Sequence, residues 1–318
     1  MNVFEFLGLS KTHRTGKHIV QHVKNADEVP ESKKTYPVWG QIKKDGVYAL
    51  VVKRCLGGVS IFGRSGLKYT NCEELEAKFS ESKAPMGVYI AELCCDVCSL
   101  EQLSGIVNPN RQKELDHAQK VSKAVMYLAF HDMLSIEEFI EGISYRSYQD
   151  RFNVLTVKLP ASFSTIMTHV LNTKEDEDKF FNAAISDAEE GMVIKNPAEA
   201  WVAGHKGYRQ YKRVRGVSYD LRCIGAEEGT GKMKGKVGNL IFKWKGDKKI
   251  KCPLGKGWTH EDASDMYMSF IFGSHDIRDH PVSQIFEVYA LQESSKGKLR
   301  MPKVGELRHD KTEPDVGE

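Results

Sequence analysis

At 318 residues, 41% apolar and 28% charged, the chain is too long for one small core and too apolar to stay disordered, so two globular domains are expected. The segment MNVFEFLGLSKTHRTGKH has no basic stretch leading into a long apolar run, and nowhere do eighteen apolar residues run together, which speaks against a secretory leader and a membrane span. The net charge of +3 is bland, but between His205 and Lys256 stand 15 Lys and Arg against 4 Asp and Glu, a block that favours a polyanion.

In chain order, residues 36 to 70 (YPVWGQIKKDG, VYALVVKRCLGG, VSIFGRSGLKY) predict an antiparallel meander of short strands. EELEAKF, 73 to 79, has helical spacing, and GVYIAELCCDV is strongly β with one acid, Glu92. Cys95 and Cys98 form a lone CxxC without a second pair at zinc spacing. The seven cysteines (Cys55, Cys72, Cys94, Cys95, Cys98, Cys223, Cys252) read as reduced thiols in a cytoplasmic protein, with Cys95 and Cys98 as buried thiols rather than metal ligands. Amphipathic patterns over 136 to 155 and 161 to 184 predict helices, and GMVIKN after Glu189 and Glu190 predicts another strand. Past Gly216 the texture turns to short β runs between Gly and Lys, predicting a small OB-type barrel. The interleaved Tyr208, Tyr211, Phe242, Trp244 and Trp258 suggest nucleic-acid stacking. KTEPDVGE reads as a free acidic tail. The expected class is α+β, residues 1–216, followed by an all-β domain, residues 217–318. Whether the first 35 residues contact a ligand or cover the core stays open.

Gln41, Ile42, Lys43, Lys44, Asp45 and Gly46 place an amine at the end of a strand, where a lysine that sheds its proton is a nucleophile. Alone, Lys-x-Asp-Gly equally describes a surface hairpin turn. The ordered set after it is more specific: Arg64 in GRSG, Glu92 in YIAELC, Phe130 in LAFHDML, Glu190 and Lys195 in EEGMVIK, Lys206 and Lys212 in HKGYRQYKRVR, and Arg308, Asp310 and Lys311 in RHDK.

With these motifs in this order, the chain resembles the ATP-dependent DNA ligases, most closely the small bacteriophage type, within the covalent nucleotidyltransferase superfamily. The resemblance implies an adenylation domain followed by an OB-fold domain. It implies that Lys43 attacks the α-phosphate of ATP and carries AMP, that Lys206 and Lys212 neutralise that phosphate, and that Glu190 with Glu92 holds Mg²⁺. It implies further that Arg64 and Glu92 meet the ribose or a DNA 5′-phosphate and that Phe130 covers the adenine. The chain beside Gln41 and Ile42 would read the base edge. Arg308, Asp310 and Lys311 would orient pyrophosphate from the second domain. The implied partner is nicked duplex DNA, sealed by a monomer. Tyr48 departs from the family's frequent arginine, and Arg213 or Arg215 stands in for the second lysine after Lys212. The alternatives are an mRNA-capping guanylyltransferase, an RNA ligase and a non-catalytic OB-fold nucleic-acid binder.

Overall fold

The computed structural model describes residues 1–55, 58–187, 189–246, 248–273, 280–294 and 297–316, and the chain divides into two units, Met1–Val214 and Arg215–Glu318. In the first unit the run Gly87–Cys94 is apolar on both sides because both faces of its sheet are covered. That sheet runs β4 (Val59–Phe62), β3 (Gly46–Lys53), β5 (Gly87–Cys94), β6 (Tyr127–Leu134), β8 (Ser164–Thr165), antiparallel except for β6 with β8. A second sheet runs β1 (His22–Asn25), β12 (Lys206–Val214), β10 (Gly191–Lys195), β2 (Val38–Ile42), β9 (Thr168–Leu171), with only β1 and β12 parallel. A minor pair joins β7 (Ile143–Ser144) to β11 (Trp201–Val202).

The expected meander over 36 to 70 is therefore corrected. β2 does not pair with β3: it pairs with β10 and β9, and Lys43–Asp45 carry the chain from one sheet to the other. Local pattern could not reveal this, since each strand alternates normally and the partner of β2 lies some 150 positions on.

On one face of the β3 sheet, Val51, Tyr89 and Phe130 pack with Phe79 of α2 (Glu73–Glu81), Leu103 of α3 (Leu100–Ile106) and Leu155 of α6 (Tyr148–Lys158). On the other, Leu50, Val52 and Phe62 meet Phe139 of α5 (Ile136–Glu141) and Val3 and Phe4 of α1 (Val3–Phe6). The first residues thus cover the core, and Asn2 and Glu5 cap α1 reciprocally. Arg14 fastens the segment by donating to the carbonyls of Phe139 and Ile140. α4 (His117–Ala124) starts from an Asp116 and Gln119 capping box.

Two predicted helices are corrected. Residues 136 to 155 split into α5 and α6, because Gly142 ends α5 in the left-handed conformation (φ 82°) and Ser147 caps a new start. Residues 161 to 184 begin as β8 and β9, and the chain turns helical only at α7 (Lys174–Ser186), capped by Thr173.

The second unit is a barrel built on the order β15 (Lys248–Cys252), β14 (Val237–Trp244), β13 (Val217–Glu228), β16 (Ile285–Ala290), β19 (Lys303–Leu307), all antiparallel. A parallel bridge between Leu254 and Val304 joins the two ends, with Gly255 N donating to Val304 O at 2.8 Å. α8 (His260–Phe272) lies between β15 and β16 in sequence, and β17 (Gln292–Glu293) pairs with β18 (Leu299–Arg300). This is the OB arrangement.

Phe242 and Trp244 are fully buried in the barrel core, and Trp258 packs on it while donating to Gly305 O. Tyr211 is buried in the first unit. These rings are core rather than stacking platforms, which corrects their reading as nucleic-acid contacts. The acidic tail is tied down as far as it is described: Asp315 N donates to Asp220 O and Val316 packs on the barrel. Gly317 and Glu318 lie outside the described residues.

Candidate active site

Lys43 follows the last residue of β2, and its peptide N–H donates to Gly191 O at 2.9 Å. Gly191 takes φ 140°, and a Cβ there would meet Arg213 O at 2.3 Å, so only glycine lets β10 enter beside β12. That entry brings Glu190 to Lys43, with Nζ 2.6 Å from Oε2. Gly46, two residues after Lys44, is needed for close approach rather than for a turn: a Cβ would meet Leu93 O at 2.7 Å.

Glu92 sits in mid-β5, directly opposite Tyr48 on β3. Burial pushes its carboxyl up to about 7, against the pull of Lys43, Arg64 and Lys195 and with a further push from Glu190. These five charges therefore form one field, with Glu92 at its desolvated centre. Arg64 is held by the turn in which Gly66 N donates to Gly63 O, and its guanidinium lies 5.3 Å from the Tyr48 ring. At the family's frequent arginine position, this chain thus has a ring under Arg64.

Residues directly opposite each other across a sheet point to the same face. Gln41, Val193, Lys212 and Asn25 form one such row, so Lys212 shares a face with Gln41. Arg213 points the other way, onto α7, where it pairs with Asp178 and lies 4.2 Å from the Phe181 ring. It is therefore not the second cation of the site. Lys206 is also corrected: it opens β12 opposite His22, six residues before Lys212, up to about 20 Å away along an extended strand.

The Gln41 side chain is buried and donates to Tyr148 Oη at 3.0 Å and Thr168 Oγ1 at 2.8 Å. Ile42 lies one residue past the last pair with β9, so its peptide edge on that side is outside the ladder. Phe130 is corrected outright. It is fully buried, with ring centroids 5.5 Å from Phe79 and 5.9 Å from Phe163. Turning it out as an adenine cover would forfeit about 1.5–3 kcal/mol of burial.

His131, the residue after Phe130, was missed. It is the extra residue of a β-bulge, since Phe130 pairs with Ala91 and Asp132 with Ile90, and bulges re-aim side chains without any mark in the sequence. Its Nδ1 lies 2.8 Å from Lys195 Nζ, which sits 4.5 Å over the Tyr148 ring. Burial brings the Lys195 amine down to about 7 and His131 well below its usual range. An ionisable group in the apolar run MVIK was the available signal. Asp132 and Arg151, both buried, pair at 2.9 Å and anchor α6 to β6.

In the second unit, Arg308 follows β19 and donates through Nη1 to Asp220 and through Nε and Nη2 to Asp310. Lys311 pairs with Asp220 and Asp315.

Comparison with known proteins fits this geometry. The family profile described as "ATP dependent DNA ligase domain" matches residues 18–213, and "DNA ligase OB-like domain" matches residues 228–308. The "Probable DNA ligase" of Aquifex aeolicus is 25% identical over 197 residues, 56% of this chain and 34% of its own. "DNA ligase 2" of Korarchaeum cryptofilum is 25% identical over 276 residues, 78% of this chain and 44% of its own. The chain thus spans about a third to under a half of the length of these curated relatives. Among solved structures, "Pmar-Lig_PreS3" superposes with a TM-score of 0.75 at 20% identity, covering 92% of this chain and 68% of that one. The ATP-dependent DNA ligase of bacteriophage T7 in complex with ATP superposes at 0.51 and 13%, covering 92% and 99%. By the profile over residues 18–213, which frames Lys43, Glu92, Glu190 and the strands that carry them, the chain belongs to the ATP-dependent DNA ligase domain family.

Proposed function

We propose that this protein seals nicks in duplex DNA through an adenylyl-lysine at Lys43. The observation that carries this reading is the 2.6 Å contact of Lys43 Nζ with Glu190, in the field of Glu92 and Arg64 and on a chain of this family. Lys43 loses a proton, for which Glu190 is the acceptor in contact, and its nitrogen attacks the α-phosphorus of ATP. The N–P bond forms as the bond to pyrophosphate breaks. AMP then passes to a DNA 5′-phosphate, and the neighbouring 3′-hydroxyl displaces it. Lys212 supplies positive charge to the phosphate, and Ile42 reads the base, a role supported by its peptide edge lying outside the ladder with β9. His131 replaces Phe130 as the ring beside the nucleotide. Arg308, Asp310 and Lys311 act on pyrophosphate in the first step.

The residues fit Mg²⁺. Among the described residues no group of three metal-binding side chains comes together, but Mg²⁺ takes one or two carboxylates and completes its shell with water and phosphate. Glu190 and Glu92 are the two. The ion would supply charge neutralisation at the phosphates. No helix among the described residues is long and apolar enough to cross a membrane. The unpaired thiols suit the reducing cytoplasm, and the protein acts as a monomer.

Because the Glu92 carboxyl is raised from 4.5 to about 7, the folded state binds a proton that the unfolded chain releases between these values. Wild-type stability therefore falls as pH rises through that window, by roughly 3 kcal/mol at about 1.4 kcal/mol per unit. Glu92→Gln lacks this loss, so urea unfolding should show the variant gaining on wild type between pH 4.5 and pH 8. A stability difference independent of pH contradicts the buried-carboxyl account.

Lys243 and Lys249 stand directly opposite each other on β14 and β15, an arrangement that destabilises a strand pair and that a DNA backbone would relieve. Replacing both by Ala should keep the barrel folded and reduce the slope of log K against log salt on nicked duplex by about 2, roughly one per phosphate contact. An unchanged slope would place the backbone elsewhere.

A further inference from the structure

The cations of the RHDK motif are not free arms. Arg308 is gripped from two sides: Nη1 donates to both Asp220 oxygens at 3.0 and 2.9 Å, while Nε and Nη2 donate to Asp310 at 3.0 and 2.9 Å. Lys311 pairs with the same Asp220 and, at 3.0 Å, with Asp315. Asp220 reaches the motif from β13, 88 residues earlier, and is only 5% exposed. Its backbone closes the clasp. Asp220 N donates to Asp315 Oδ2 at 2.7 Å, and Asp315 N donates to Asp220 O at 2.8 Å.

Stability alone explains this poorly. Burying a carboxylate is expensive, and ion pairs to side chains about a third exposed, as Arg308 and Lys311 are, return little. What the arrangement does achieve is order. An arginine and a lysine near a chain end lose rotamer freedom when they engage a ligand, and fixing them beforehand removes that loss from the reaction.

We propose that Asp220 is the positioning residue of the motif: its carboxylate, gripping Arg308 and Lys311 together, presents both cations as one preorganised cluster for the pyrophosphate group in the adenylylation step. The inference rests on the nick-sealing reading above. It extends the motif to a residue outside its four positions and to the segment through Asp315 that locks it.

The test compares wild type, Asp220→Asn, Asp220→Glu and Arg308→Ala in three assays: single-turnover adenylylation with ATP and Mg²⁺, pyrophosphate-driven reversal of the adenylyl-enzyme, and sealing of a pre-adenylylated nick. Asp220→Asn should slow adenylylation by about 10-fold or more, the scale of a small misplacement of reacting groups. It should also raise the pyrophosphate concentration needed for half-maximal reversal. Sealing of the pre-adenylylated nick, which releases no pyrophosphate, should change far less, and Asp220→Glu should recover part of the adenylylation rate. Parallel loss in all three assays with a lowered melting temperature would make Asp220 merely structural and overturn the proposal. If Arg308→Ala slows adenylylation and Asp220→Asn does not, the positioning role alone fails. If Arg308→Ala is also without effect, the assignment of the whole motif fails with it.

Discussion

Lys43→Ala should abolish covalent capture of label from α-labelled ATP, by at least about 10⁴-fold, since removing a covalent nucleophile leaves only binding and electrostatics. The amine is the one protein group in the proposed reaction that bonds to phosphorus, and it sits where β2 ends and the chain crosses between sheets. Its backbone is held by Gly191 O, so the alanine variant keeps the crossing. What it loses is the ion pair, and Glu190, whose side chain is 11% exposed, is left without its ammonium. Lys43→Arg keeps the charge and cannot form the adduct, which separates nucleophile from counter-ion. Both variants should still seal a pre-adenylylated nick, because that step does not use the amine as a nucleophile. Adduct formation by Lys43→Ala, read on a denaturing gel, would place the nucleophile elsewhere.

Glu190→Gln carries the second-largest expected effect, a loss of about 10²–10³-fold in adenylylation, the scale seen when one preorganised charged or polar partner of a transition state is removed. The same carboxylate orients Lys43, stands ready for its proton and is one of the two acids suited to Mg²⁺. Gln conserves the shape and the strand entry at Gly191 while removing the charge, so the loss is electrostatic. Raising Mg²⁺ should recover only part of it, because the contact with Lys43 is not restored. An effect below about 3-fold on single-turnover rate would mean that Glu190 is a structural counter-ion for Lys43 and no more.

Placement was legible at strand ends and tight approaches. A lysine just after a strand (Lys43), an acid within one (Glu92) and an acid-glycine pair opening another (Glu190, Gly191) leave local traces, and β3, β5, α2 and β10 form where the patterns put them. What was not legible depended on pairing between distant segments. β2 alternates like any meander strand, and its pairing with β10, some 150 positions on, puts it in the other sheet. Lys206 and Lys212 look equivalent in the sequence until the register with β10 separates them. Phe130 turned into the core because of a bulge that leaves His131 unpaired in the ladder, a feature with no mark in the sequence. The barrel aromatics misled because alternation of Lys with Phe242 and Trp244 is what a strand with one buried face produces. Asp220 had no trace at all, being one acid among the short β runs of the second unit, 88 residues from the arginine it holds.

The most direct test of the central claim is a chase. Adenylyl-enzyme formed from α-labelled ATP and Mg²⁺ is freed of nucleotide, its label mapped by peptide to Lys43, and then mixed with nicked duplex DNA in a single turnover. Label should leave the protein as AMP while one joined strand appears per adduct consumed, with no further ATP. Label that stays on the protein in the presence of nicked DNA, or an adduct formed from GTP in place of ATP, would contradict that claim.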